Sequence, residues 1–381
     1  MDITEFTELA ASVPLVDHHC HGVSRSPVTA EVFEDLGTES DSPQPAGFDV
    51  FDSPIGVAIR AECAPRLGLP RHTSPADYLA ARAALGEEQA TTRLLTGTGI
   101  SRYIVETGYR SDDILSPEET AALGSAASSQ VVRLEVIAEQ LAAEDPAAAD
   151  FGAAYTERLA ATAATAAGLK SIIAYRFGLD FDPARPTSAE VATAAGEWLR
   201  ETAGQPKRRL EHPVLLRHVL WTGVDLGLPL QFHVGYGDSD IVMHRVDPTK
   251  MTAFLHATQG SGCSVMLLHC YPFIREAGYL AQVYPHVYLD TGAAVHFTGA
   301  SSQALIAQSL EVAPFAKQLF SSDAFGLGEL YYLGALLWRR GMAAVIGGWL
   351  ERDEISGTDA ARYLHAIAHG NAERVYGQPA A

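Results

Sequence analysis

The sequence predicts an α/β protein assembled from successive parallel β/α units, and three observations carry that prediction. Short β-branched or aliphatic runs recur along the chain, alanine-rich stretches separate them, and 47% of the 381 residues are hydrophobic, enough for a large buried core. In chain order the strand candidates are Pro14–His19, Ile100–Glu106, Val131–Ile137, Leu169–Arg176, Leu228–His233, Ser264–His269, Val287–Asp290 and Gln318–Ser322. Segments such as Ala147–Ala167 and Ser188–Ala203 lie between them, rich in the helix formers Ala, Glu, Leu and Arg. Gly168 stands where the first of these helices should end, and Gly227-Leu228-Pro229 punctuates the approach to the fifth strand in the same way. Eight strands alternating with helices can close a barrel, with a doubly wound open sheet as the competing arrangement.

Two regions interrupt the alternation. Residues Ser24–Glu88 are rich in Pro, Gly, Ser and Asp, which predicts a long, partly helical insertion after strand one. It should hang over the strand's C-terminal end as a lid on whatever site lies there. From Tyr331 onward the sequence turns helical, with YYLGALLWRRGMAAVIGGWL followed by DAARYLHAIAHGNAERVYG. With no internal repeat or linker, residues 1–381 read as a single domain.

Charge narrows the partners. Lys and Arg number 27 against 46 Asp and Glu, a formal net charge of −19, and a field of that sign repels phosphate backbones and anionic lipid. Nucleic acid and membrane are therefore excluded as partners, and a small-molecule substrate is expected. No run approaches the roughly eighteen apolar residues a membrane helix needs, and the N-terminus MDITEFTELA is acidic where a signal peptide would be basic. Four cysteines without a CxxC pair are sparse for a disulfide framework. These features predict a cytoplasmic protein. A homo-oligomer is compatible with a barrel of this size, although no motif specifies one.

The chemistry begins at PLVDHHCHG. Strand alternation sends Leu15, Asp17, His19 and His21 to one face and Val16, His18 and Cys20 to the other, so His18 and Cys20 should pack behind the strand. His19 and His21 then project together as half of a zinc-type site. His233 closes LPLQFH, His269 closes VMLLH and Asp323 follows QLFSS, each a polar group directly after an apolar strand. Barrel active sites are built at that end. Four histidines and an aspartate converging from separate strands suit a divalent zinc, manganese or iron ion.

With HxH after strand one, His after strands five and six, and Asp after strand eight, the chain resembles the amidohydrolase superfamily of metal-dependent hydrolases. GLKSIIAYRFGLDFD, GLPLQFHVGYGDSD, LLHCYPFIREAGYLAQVYPHVYLD and LFSSDAFGLGELYYLGA narrow the resemblance to amidohydrolase family 2. The branch is the domain that precedes a glutamine-synthetase-like domain in fungal and plant proteins, and this chain is similar to its stand-alone bacterial form. The resemblance covers most of residues 13–340 and is weakest over the insertion. It implies a (β/α)8 TIM barrel in which His19, His21 and His233 hold a metal, with Asp323 beside or on it. Asp323 would take the proton of a metal-activated water and pass it to a leaving nitrogen, while His269 would polarise the scissile carbonyl or stabilise the oxyanion, or instead bind a second metal. Zn2+ is the expected ion, with Mn2+ or Fe2+ as alternatives. Two-metal members of the superfamily bridge their ions with a carboxylated lysine on strand four. Lys170 is the candidate here, but six residues before Arg176 at about 3.3 Å each would leave it roughly 20 Å below the mouth, which favours one ion over two.

For substrate binding, Arg176 at the top of strand four is expected to grip a carboxylate, and Arg275 in YPFIREAGYL is a second candidate clamp. Arg133 and Glu135 should share a face of strand three, and Asp290 and Glu329 are candidates to orient the ligands. The resulting expectation is a metal-dependent amidohydrolase acting on a C–N bond of a small acidic metabolite, with a γ-glutamyl amide as the natural candidate. A decarboxylase or lactonase on the same barrel, and a non-catalytic regulatory barrel, are the alternatives.

Overall fold

The computed structural model describes residues 1–42 and 45–377. Its sheet holds parallel strands β1 (Leu15–Cys20), β2 (Ile100–Glu106), β3 (Ala127–Arg133), β4 (Gly168–Ser171), β5 (Leu230–His233), β6 (Val265–Leu268) and β7 (Val287–Leu289), hydrogen-bonded in that order. The eighth position is taken by residues from Gln318 onward, which close the ring without a regular ladder. Gln318 bridges Leu289, the Leu319 amide donates to the Leu289 carbonyl (3.0 Å), and the His18 amide donates to the Phe320 carbonyl (3.1 Å). The fold is thus the (β/α)8 barrel, with helices around the sheet and a helical tail.

Two residue parities divide the packing. Val16, Ile104, Val131, Met266, Leu268 and Leu319 form one buried cluster with Ala372 and Tyr376, residues of the C-terminal helix Asn371–Tyr376. Tyr376 also lies against Gly168, the first residue of β4, so this helix plugs the barrel at the end where the strands begin. The other parity, including Leu169, Leu230, Phe232, Val265 and Leu267, packs outward onto the helices.

Strands three and four depart from the sequence prediction. β3 runs over Ala127–Arg133, not Val131–Ile137, because LEVIAEQLAA is the helix Leu134–Ala143, with Leu134, Ile137, Ala138 and Leu141 buried at helical spacing. β4 stops at Ser171, and Ile173–Arg176 is a short helix. The buried Glu135 carboxylate causes the stop: its Oε1 accepts from Ser171 Oγ (2.6 Å) and from the Ile172 amide (3.0 Å), an amide that a longer strand would give to the sheet. Glu135 therefore belongs to a helix, away from the strand face where Arg133 was expected to accompany it. Gly168 opens a strand rather than capping a helix, whereas Gly227, with φ +70°, does follow the helix Pro213–Asp225 as a terminator.

The insertion is partly helical. Thr29, Ser53 and Ser74 each accept a backbone N–H at the start of a helix, beginning Ala30–Leu36, Pro54–Ala58 and Pro75–Leu85. Its later half packs on the helix Gly328–Glu351, where Glu62 takes two bonds from Arg71 (2.8 and 3.0 Å) and one from Arg340 (2.8 Å). The Arg340 bond, with Arg71, holds the Glu62 carboxyl down at about 2. A depressed carboxylate contributes stability above its unfolded pKa of about 4.3 and loses it as pH falls through the folded value. Glu62→Gln should therefore lower urea-unfolding stability by about 1 kcal/mol at pH 7, given the exposure of both arginines. That difference should shrink below about pH 4.5 and be mostly gone near pH 2.

No helix among the described residues is long and apolar enough to cross a membrane.

Candidate metal centre and active site

The site lies where the strands end. A β-bulge in β1 gives it its shape: Asp17 faces Tyr103 and Cys20 faces Val105, so three steps on β1 match two on β2. The extra residue breaks strict alternation, and His18, expected behind the strand, turns into the barrel with His19. Its ring nitrogens lie 2.7 Å from Asp290 Oδ2 and 3.0 Å from the Tyr376 hydroxyl.

Gln231 on β5 then assigns the protonation pattern. Its Nε2 donates to the His18 carbonyl (2.8 Å) and to the Tyr376 hydroxyl (2.9 Å), so its Oε1 must be the acceptor facing His19 Nδ1 at 2.8 Å. His19 thus carries its proton on Nδ1 and keeps a lone pair on Nε2. His21 does the same by donating from Nδ1 to the Glu106 carbonyl (3.1 Å). The two Nε2 atoms face one carboxylate oxygen, Asp323 Oδ1, at 3.1 and 3.8 Å. The three donor atoms lie within 4.8 Å of one another. Neutral imidazole and carboxylate donors gathered this closely fit a divalent transition-metal ion.

Asp323 is shared with His269, whose Nδ1 is 3.0 Å from Oδ2. Both residues have left-handed backbones, φ +52° at Asp323 and +65° at His269, a conformation unusual outside glycine and concentrated at functional sites. Asp290 supports this arrangement through its Oδ1, which accepts the His269 amide at 2.7 Å. His233, at the end of β5, is buried with Nε2 unpartnered, its ring 4.7 Å from that of His269 and 4.4 Å from Tyr175. Its ring thus sits beside His269, outside the close group of His19, His21 and Asp323.

Electrostatics favour ligand-ready forms. Burial pushes His19 and His233 well below the usual imidazole range, with Lys170 adding to the effect at both, and burial also lowers His21. Burial alone would raise Asp323, but His269 and His19 hold it well below the ordinary carboxylate range.

Lys170 corrects the distance argument made from sequence. Because β4 is only four residues long, Lys170 is not far below the mouth. Its Nζ lies 3.4 Å from both His19 Nε2 and His269 Nε2, and burial lowers the amine to about 8.

A cavity of about 1280 Å³ opens over these residues. Glu34, Glu39 and Asp41 of the insertion line it, as do Arg133, Arg176 and Arg208. Burial, with Asp323, Asp238 and Asp41 nearby, pushes the Glu39 carboxyl up to about 8. Arg133 pairs with Glu106 at the end of β2 rather than with Glu135. Arg176 lines the cavity with its side chain 7% exposed, with Nη2 2.9 Å from Glu139 Oε1 while Nε and Nη1 have no partner. Arg275 is not in the site: it is 63% exposed on the helix Ile274–Val283 and pairs with Glu311 at 2.8 Å, an outer-surface contact. Glu329 does not reach the ligands either, because it binds Tyr78 and Arg82 of the insertion. Sequence reasoning passed over His296 and Tyr175, which both line the cavity. The available signal was position, since each follows an interior strand by only a few residues.

A parallel barrel with imidazole and carboxylate donors gathered at its strand ends has the architecture of a metal-dependent enzyme. The chain belongs to the amidohydrolase family, whose model matches residues 16–378. The chain is similar to Protein fluG of Emericella nidulans, at 24% identity over 98% of this chain and 47% of that protein, so it spans about half the length of that curated relative. A protein from Lactobacillus casei ATCC 334 assigned as a metal-dependent hydrolase superposes with a TM-score of 0.83, 28% identity and 97% coverage of each chain. A uronate isomerase from Bacillus halodurans C-125, at 11% identity and a TM-score of 0.66 over 99% of this chain and 96% of that one, shares the fold.

Proposed function

We propose that the protein hydrolyses a C–N bond in a small acidic amide. The observation that carries this reading is the shared carboxylate: Asp323 faces His19 and His21 through one oxygen and His269 through the other. His19, His21 and His233, with Asp323, would hold one Zn2+ ion, or Mn2+ or Fe2+ in its place. Such an ion lowers the pKa of a water toward neutrality and supplies the nucleophile. Asp323 would serve as the proton carrier between the attacking water and the leaving nitrogen. His269, directly after β6, would polarise the scissile carbonyl. Arg176 holds the substrate's carboxylate, a role supported by its unpartnered Nε and Nη1. A γ-glutamyl amide is the proposed substrate, on the resemblance to domains that accompany glutamine-synthetase-like partners. A cytoplasmic setting is supported by the acidic charge and four buried thiols.

The position of Lys170 favours a second reading with two ions, since its amine reaches both His19 and His269. Metal content by plasma mass spectrometry separates the two. About one equivalent, lost in a His19→Ala/His21→Ala variant, is expected for a single centre, and about two equivalents would make Lys170 and His269 ligands. Amine release from γ-glutamyl amides, abolished by a chelator, is the expected activity. Activity that survives metal removal would overturn the mechanism.

A further inference from the structure

We propose that His296 contacts the substrate from the floor of the cavity, hydrogen-bonding the amide group that is cleaved. The residue lies in the short helix Ala294–Phe297 just after β7 and is fully buried. Neither ring nitrogen has a hydrogen-bond partner among the described residues. A buried imidazole is ordinarily satisfied, so one that is not and that borders a cavity awaits a ligand. The unpaired Nε2 of His233 is accounted for in the proposed function, where His233 is a metal ligand. His296 has no such role, and it lines the same cavity as His233, His269 and Asp323.

The chemistry of the missing partner follows from the ring. A neutral imidazole presents one N–H donor and one acceptor. An amide offers a carbonyl acceptor and an N–H donor, so it satisfies whichever nitrogen faces the cavity in either tautomer. A carboxylate would satisfy only the donor form. The identity of this ligand group rests on the proposed hydrolase reading, but the unpaired ring does not.

The test uses His296→Leu, which puts an apolar side chain of similar volume in its place, and His296→Asn, which restores a donor and an acceptor. In thermal unfolding of metal-free protein, His296→Leu should melt at or above the wild-type temperature, because it removes an unpaired polar group. A loss of several degrees would assign the imidazole to the fold and overturn the proposal. In zinc-loaded protein, acetohydroxamate serves as a probe that carries a carbonyl and an N–H beside a metal-binding group. Calorimetry should show about ten-fold weaker binding in His296→Leu, the effect of one lost hydrogen bond, with partial recovery in His296→Asn and unchanged zinc content. Equal affinity in all three proteins would overturn the proposal. If the wild type takes up none of zinc, manganese or iron, the hydrolase reading fails, and the unfolding comparison alone decides the case for His296.

Discussion

Asp323→Ala should lower turnover of the proposed amide substrate by about 10,000-fold, since the proposed mechanism gives Asp323 the roles of proton carrier and metal donor together. One carboxylate meets three imidazoles from two strand ends, so its removal affects His19, His21 and His269 together. Asp323→Asn is the sharper variant. It retains the shape, and asparagine tolerates the left-handed φ of +52° better than alanine does. It cannot accept a proton, so turnover should fall nearly as far while the circular dichroism spectrum stays native. Metal content then divides the two roles. A folded Asp323→Asn protein that keeps its ion but loses turnover identifies Asp323 as the proton carrier, and one that also loses the ion identifies it as a donor. Turnover within ten-fold of wild type in both variants would remove Asp323 from the chemistry and leave the barrel reading without a mechanism.

Strand ends were the legible part of this molecule. His19, His21, His233, His269 and Asp323 each follow an apolar run, and the structure gathers them because parallel strands deliver their C-termini to one rim. What the sequence concealed were local events that alternation does not encode. The bulge in β1 turned His18 inward, and only the pairing with β2 reveals it. The early end of β4 brought Lys170 into the centre, because Glu135 on a neighbouring helix takes the Ile172 amide. Glu135 in turn was misread as a strand residue, since LEVI has β-branched residues and its helical spacing emerges only over the longer LEVIAEQLAA. Arg275 shows the converse error: its motif is distinctive, yet a guanidinium already paired on an exposed helix face has no reason to enter the cavity. These cases share a cause. The periodicity of a segment reports its own face, while the length of a strand and the partner of a charge depend on residues far away in sequence.

Arg82→Ala should destabilise the protein by about 3–5 kcal/mol, the usual cost of stranding buried charges. Arg82 is 3% exposed and joins two carboxylates: its Nε donates to Glu329 Oε1 at 2.9 Å, and its Nη1 and Nη2 donate to Glu87 at 2.7 and 2.8 Å. Glu329 is fully buried and also accepts the Tyr78 hydroxyl at 2.9 Å, so loss of the guanidinium leaves it with a neutral donor only. The cluster ties the insertion helix Pro75–Leu85 to the helix Gly328–Glu351, whose first turn begins five residues after Asp323. Urea unfolding of the single variant measures the effect, and a loss under 1 kcal/mol would show that the carboxylates rehydrate or take up protons at little cost. Arg82→Lys should recover only part of the stability, because one ammonium cannot meet Glu87 in two bonds while reaching Glu329. Arg82→Met/Glu329→Leu should be more stable than Arg82→Ala, since it removes the buried carboxylate along with its partner. That ordering separates a charge that must be matched from a side chain that merely fills space: a packing role would make the double variant no better than the single one. If the charge is what matters, the anchor of the insertion is specific rather than strong, and the polar cluster holds one register of helix on helix where an apolar contact would allow several.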